Sequence, residues 1–360
     1  MDVFLDTNIF YNKYFLNESS FKFLSNYLTN TSSRLIISSL VCEEVENIRK
    51  RELNELRLLL KSTNKKIAKL TNLIVDNSEE KQVLDYSFKS ILEKSFESVI
   101  YVDYDVVSQS EVVKRALSKK KPFREEEKGY RDTLIWLSLL KYLETNKLAT
   151  DFAFISENKR DFYKDRDFHL DLMEDIKGHQ LSCTIKPYLS LYQFISSNID
   201  KEEHKIKHKD LYDDYLVHLD SEIEFGTSSF INDLSKEDFL SVLNKSRKHF
   251  PTINYLTDFY FDVVEGVEDA TVVKYEKYDK NQFYILYNFN LRISELRITI
   301  PKGEYLIDQS KFDNSFVNIE QTESEAILYA YTRAYFETSF NFNLESEAIE
   351  GFEVISSDFR

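Results

Sequence analysis

Over the first 200 residues, short unbroken apolar runs take turns with longer segments whose apolar positions recur every three or four residues. The runs lie in Val3-Phe4-Leu5, Arg34-Leu35-Ile36-Ile37-Ser38, Val99 to Val102 and Phe152-Ala153-Phe154-Ile155-Ser156, with Leu181 to Ile185, broken by Ser182 and Thr184, as a further strand segment. Unbroken hydrophobicity over so few residues predicts strands covered on both faces. The periodic segments predict helices at Phe21 to Leu28, Asp105 to Leu117, Glu125 to Glu144 and Leu189 to Ile195. Glu43 to Leu73 adds a charged, leucine-spaced helix that forms a hairpin with Ser78 to Phe96. Strands alternating with helices predict an α/β domain over 1–198, a three-layer parallel sheet carrying a helical insertion at about 46–97.

After that the texture changes. Residues 199–208 form a charged linker, and 209–360 read as a separate α+β domain with an antiparallel sheet. Two helical patterns, Leu211 to Ile223 and Ser235 to Phe250, come first. Thr271 to Tyr278 and Phe283 to Leu291 then flank Asp279-Lys280-Asn281-Gln282, the pattern of a hairpin. Arg297 to Ile300 and Ile327 to Phe342 are further strand segments.

Composition narrows the function. The chain has 360 residues, 42% of them hydrophobic, enough for two packed cores. The 6 glycines form neither G-x-G-x-x-G nor G-x-x-x-x-G-K, which excludes a glycine-built phosphate cradle. Cys42 and Cys183 are too few and too far apart for a thiolate zinc site or a disulfide framework. No apolar run approaches the roughly 18 residues of a membrane span, so a soluble, cytoplasmic protein without a membrane partner is expected. The net charge of -15 is uneven. Residues 1–200 hold 30 basic against 31 acidic side chains, while 201–360 hold 17 against 31. The acidity belongs to the C-terminal part, and the N-terminal part is free to meet a polyanion.

Four carboxylates stand where strands end or helices begin: Asp6, Glu44, Asp132 and Asp161. The carboxyl end of a parallel sheet is where open α/β folds carry their sites. Carboxylates converging there would repel one another without a cation, and hard oxygen donors suit Mg²⁺ or Mn²⁺. Such ions polarise a phosphodiester and generate hydroxide from water without a covalent nucleophile. The stretch Lys119, Lys120, Lys121, Arg124, Lys128 and Arg131 runs into Asp132 and offers phosphate contacts, with Tyr130 and Phe123 as rings for base stacking; core packing is the commoner role for a residue such as Phe123.

Asp6-Thr7-Asn8, Val41-x-x-Glu44-Val45, Gly129-x-x-Asp132 and Ser156-x-Asn158-x-x-Asp161-Phe162 resemble, in order, the four signature blocks of the PIN-domain nucleases. The Lys128-Gly129-Tyr130-x-Asp132 form beside a long helical insertion looks like one bacterial PIN-like subgroup. The resemblance covers about residues 1–195 and implies a metal-dependent endoribonuclease acting on single-stranded RNA. It implies Asp6 and Asp132 as direct Mg²⁺ or Mn²⁺ ligands and Glu44, in preference to Glu43, as a ligand or water-orienting group. Either Asp161 or Asn158 completes the set, with Asn8 and Ser156 hydrogen-bonding the ligands. A toxin-like or defence-type role follows, in which the C-terminal domain restrains or targets the nuclease, binds a protein partner or mediates homo-oligomerisation. A structure-specific DNA nuclease and a non-catalytic PIN-like scaffold for RNA or protein are the competing readings.

Overall fold

The computed structural model describes residues 1–71, 86–123, 128–147, 151–179, 181–198, 216–248, 250–279 and 281–360. These divide into two compact units, one of Met1–Asn17 with Phe21–Asn198, the other of Glu18–Ser20 with Ile199–Arg360.

The first unit is built on five parallel strands, β1 (Asp2–Leu5), β2 (Leu35–Ser38), β3 (Val99–Val102), β4 (Phe152–Ile155) and β7 (Ile185–Tyr188). A two-stranded hairpin, β5 (Tyr163–Lys164) with β6 (Asp167–Phe168), lies between β4 and β7 in sequence. The sheet order is β3-β2-β1-β4-β7. Every residue of β1, β2 and β4 is buried, as the apolar runs require of strands covered on both faces. The last strand sits at 185–188 rather than 181–185. It holds Pro187, which cannot donate to a ladder and is tolerated because β7 is an edge strand.

Helices α1 (Ser19–Asn30), α2 (Ser39–Thr71), α3 (Phe88–Ser95), α4 (Gln109–Leu117), α5 (Tyr130–Asn146), α6 (Lys159–Phe162), α7 (Leu170–Gly178) and α8 (Leu191–Asn198) complete the unit. Helix α4 starts later than its periodicity suggests. Ser108 caps it and Glu111 bonds back to the cap, a reciprocal capping box. Helix α5 is the central one, buried without a break from Thr133 to Leu140. Its Trp136 packs against Phe154, Phe162 and Phe168. Of the helical hairpin, α2 and α3 are described, and 72–85 lies outside the described residues, as does the linker 199–208.

The second unit is an antiparallel sheet with helices. Its strands are β8 (Asp258–Asp279), β9 (Gln282–Pro301), β10 (Asn318–Gln321), β11 (Glu325–Asn343) and β12 (Ala348–Phe359). They pair in the order β8-β9-β11, with β10 and β12 both on β11. Helices α9 (Asp220–Asn232), α10 (Lys236–Lys245), α11 (Lys302–Ile307) and α12 (Gln309–Ser315) contribute Ile223, Phe239, Tyr305 and Phe312 to its core. Strands β8 and β9 are about twice as long as the expected segments. Register shifts at Val263/Glu265, Glu268/Thr271 and Val272/Lys274 interrupt the alternation along β8, so each long strand reads as fragments.

Candidate functional site

The chain leaves β1 at Leu5, and Asp6 begins a short 3-10 helix, Thr7–Phe10. Sequence order reverses across the sheet here: β1 is flanked by β2 on one side and β4 on the other, which opens a crevice beyond their carboxyl ends. Asp6 and Ser156 stand at that crevice, one residue past β1 and β4 respectively. Asp6 is 2% exposed and fully engaged. Its Oδ1 accepts the Thr7 N–H at 2.8 Å. Its Oδ2 accepts Asn8 Nδ2 at 3.0 Å and the Ser156 hydroxyl at 2.6 Å. Asn8 also donates to Ser156 Oγ at 3.1 Å and accepts the Glu157 N–H at 3.0 Å, tying the two strand ends together.

Glu44 arrives from the second turn of α2. The Thr7 hydroxyl donates to its Oε2 at 2.6 Å, and Arg131 Nη1 lies 2.6 Å from its Oε1. Glu43 points elsewhere, exposed and bonded to the Tyr104 hydroxyl. Asp132 comes from the first turn of α5, where the helix dipole favours an acid. Gly129 sets that position. Its φ is +96°, and a Cβ there would lie 2.2 Å from the Pro122 carbonyl oxygen, so only glycine brings the preceding loop this close. Asn158 Nδ2 donates to Asp161 Oδ2 at 2.8 Å and reaches Asp132 Oδ1 at 3.4 Å. Asp161 is wholly buried, with Lys121 Nζ 3.9 Å from its Oδ1. All seven acidic and supporting positions read from the sequence therefore belong to one hydrogen-bonded and electrostatically coupled cluster.

Burial is the main cause of the raised Asp6 pKa, which stands at about 7. The Asp132 carboxylate pushes it further, the bonds from Ser156 and Thr7 pull it back, and Glu44 raises it again. Glu44 is raised too, chiefly by burial, with Asp132 adding to the effect and Thr7 and Arg131 opposing it. Three carboxylates thus feel one another in a desolvated crevice. As they stand, no three His, Cys, Asp or Glu side chains among the described residues are grouped to hold a metal ion, since Glu44 is turned to Arg131 and Asp161 to Asn158. The carboxylates are hard oxygen donors, and Asp6 feels two other carboxylates, Asp132 and Glu44, which fits Mg²⁺ or Mn²⁺.

Several cations of the basic stretch have acidic partners within the unit. Lys120 pairs with Glu174 and Asp175 on α7. Lys121 donates from Nζ to the Arg160 carbonyl and from its backbone to Asp171. Arg131 is held by Glu44. Lys119, Lys128 and Tyr130 are exposed, Phe123 is buried in the core, and Arg124 lies outside the described residues. Two participants escaped the sequence reading. Thr7 fixes Glu44, and Asp175 gathers Arg115, Lys120 and Trp136 Nε1 into a buried clamp beneath the loop. Thr7 lies inside the Asp6-Thr7-Asn8 block and was legible there; Asp175, one acid among several on a polar helix, was not.

Residues 3–162 match the family model of the PIN domain. No curated protein and no solved structure matches the chain. No helix among the described residues is long and apolar enough to cross a membrane.

Proposed function

With a nuclease module of the PIN type at its N-terminus, we propose that this chain is a metal-dependent endoribonuclease that hydrolyses single-stranded RNA. The observation that carries the reading is the convergence of Asp6, Glu44 and Asp132, from three elements remote in sequence, in one crevice at the strand-order switch. Asp6 and Asp132 would hold Mg²⁺ or Mn²⁺ directly, Glu44 directly or through water, with Asp161 acting through Asn158. The ion, when bound, polarises the phosphodiester and lowers the pKa of an attacking water.

The chain's own residues supply position and charge balance. Ser156, Asn8 and the Thr7 N–H fix the Asp6 carboxylate, so the acceptor position left on Oδ1 is held in place without reorganisation. Thr7 holds Glu44 from one side while Arg131 neutralises it from the other, and a substrate phosphate competes for that guanidinium. Asn158 sets the spacing between Asp132 and Asp161. The acidic second unit would restrain or target the nuclease in a toxin-like or defence setting.

The test is incubation of the purified chain with single-stranded RNA, single-stranded DNA and duplex DNA, with Mn²⁺ and with chelator. Internal cleavage of RNA only when Mn²⁺ is present supports the reading; equal cleavage in chelator rejects the metal mechanism. The Glu44–Arg131 pair favours one competitor, a non-catalytic scaffold whose acidic site has settled on an internal cation. That competitor predicts no Mn²⁺ binding by calorimetry.

A further inference from the structure

Five residues past Asp6 the chain enters a loop, 11–16, whose backbone is forced at two points. Asn12 (φ 58°) and Leu16 (φ 55°) both adopt the left-handed conformation, which is costly for a residue like Leu. Leu16 is buried and anchors the loop, yet the loop leaves two large rings in solvent, Tyr11 at 52% and Phe15 at 54% exposure. Folding alone gives no reason to hold aromatic side chains outward on a strained segment.

Around Phe15 the surface is organised. Phe15 meets Tyr86 edge-on, with centroids 5.7 Å apart. The Arg49 guanidinium lies 4.0 Å from the Tyr86 ring centroid and 5.5 Å from that of Phe15. The Tyr86 hydroxyl donates to the Tyr14 carbonyl, and the Tyr14 hydroxyl donates to Glu52 on α2, which locks the group to the helix. Arg49 follows Glu44 by five residues on α2, about 7.5 Å along the axis. It opens the run Arg49-Lys50-Arg51, whose last two members are exposed. Planar rings, a stacked guanidinium and neighbouring cations, within a few residues of two acidic-site carboxylates, suit one ligand chemistry. Bases stack on aromatic and guanidinium faces while phosphates meet the cations.

We propose that Tyr11, Phe15, Tyr86 and Arg49 form a stacking platform for the unpaired bases of a single-stranded nucleic acid on the α2 flank of the acidic site. The inference rests on the nuclease reading only for the direction in which the strand then runs, toward Asp6 and Glu44. Bases inside a duplex have no free face to offer, so the platform selects single strands.

The test is fluorescence anisotropy of the full chain, in chelator, with a labelled single-stranded RNA of about 12 nucleotides, the matched single-stranded DNA and the RNA duplex. Phe15→Ala and Tyr11→Ala should each weaken single-strand binding by about ten-fold or more, the size of a lost base-stacking contact, and Phe15→Trp should retain it. Both rings are about half exposed, so both variants should stay folded, with Tyr11→Ala melting close to the parent and Phe15→Ala melting lower by no more than the few degrees of one lost ring contact. Variant affinities within about two-fold of the parent, or parental binding of duplex as tight as of single strands, overturn the platform. A parent that cleaves RNA while Phe15→Ala binds normally keeps the nuclease and loses the platform. A parent that cleaves nothing but loses binding in Phe15→Ala does the reverse.

Discussion

Residues 1–200 and residues 201–360 each carry 31 acidic side chains, yet the two populations behave in opposite ways. In the N-terminal unit a few acids are drawn out of water at the carboxyl ends of the strands, where neutral donors hold Asp6, Thr7 and Arg131 hold Glu44, and neighbouring carboxylates help to raise the pKa of Asp6 and Glu44. In the C-terminal unit many lie at the surface beside a cation: Glu268 and Asp269 with Arg333, Glu295 with Arg297, Asp308 with Lys311, Asp358 with Arg247 and Arg360. Net charge therefore points to the wrong half. What sets the N-terminal crevice apart is three carboxylates from three remote elements in one desolvated place; in the second unit burial and Glu224 raise the Asp220 pKa to about 6, but that is one pair on a single helix.

The sharpest way to break this contrast is to remove one acid from each population. Asp6→Asn or Asp132→Asn should lower Mn²⁺-dependent RNA cleavage by at least roughly 100-fold, more than loss of an orienting neighbour costs. Glu268→Gln in the second unit should leave cleavage unchanged. Comparable losses from both, measured on one labelled RNA, would erase the distinction. Next in size is Gly129→Ala, which places a methyl group against the Pro122 carbonyl at a positive φ. It should cost more than about 2 kcal/mol in denaturant unfolding.

Protonation sharpens the contrast further. Asp6 has a folded pKa of about 7 against 3.8 for the free carboxyl, so the folded chain binds this proton more tightly than the unfolded one. That contribution is fully present below about pH 4 and is lost as pH rises toward 7. Metal-free protein should therefore lose stability, on the order of a few kcal/mol, across that window. Asp6→Asn should flatten the dependence, and Mn²⁺ at pH 8 should restore the melting temperature. Calorimetric melts in chelator at pH 5 and pH 8 check the sign. Smallest of all, Arg333→Ala should shift stability by under about 1 kcal/mol, because its partners share the surface with water.

Most of the parallel sheet was legible because β1, β2 and β4 are short buried runs and β3 is all apolar or aromatic, whereas β7, Ile-Lys-Pro-Tyr at an edge, has no such run and reads four residues early. The candidate site positions were legible for a related reason: Asp6 and Ser156 sit one residue beyond such runs, and Asp132 opens the helix with the longest buried stretch. The antiparallel sheet was legible as a class but not in extent. Strand β8 changes register several times, and β12 is only partly buried along Ala348–Phe359, so neither presents a clean period of two. The partners of the basic loop were not legible, for a different reason. Lys120 and Lys121 lie beside the site in sequence, but their charges are claimed by Asp175, Glu174 and Asp161, partners that sequence distance conceals.

Ser156 carries one consequence beyond its position. Its oxygen receives N–H groups from Asn8 and from its own neighbour Asn158, which occupies both lone pairs. Its lone hydrogen has nowhere to turn but Asp6 Oδ2, so the hydroxyl rotor is frozen. A proton arriving on Asp6 at Oδ2 would meet two donors head-on, and must settle on Oδ1 instead. One small side chain thus dictates which edge of the buried acid is titratable.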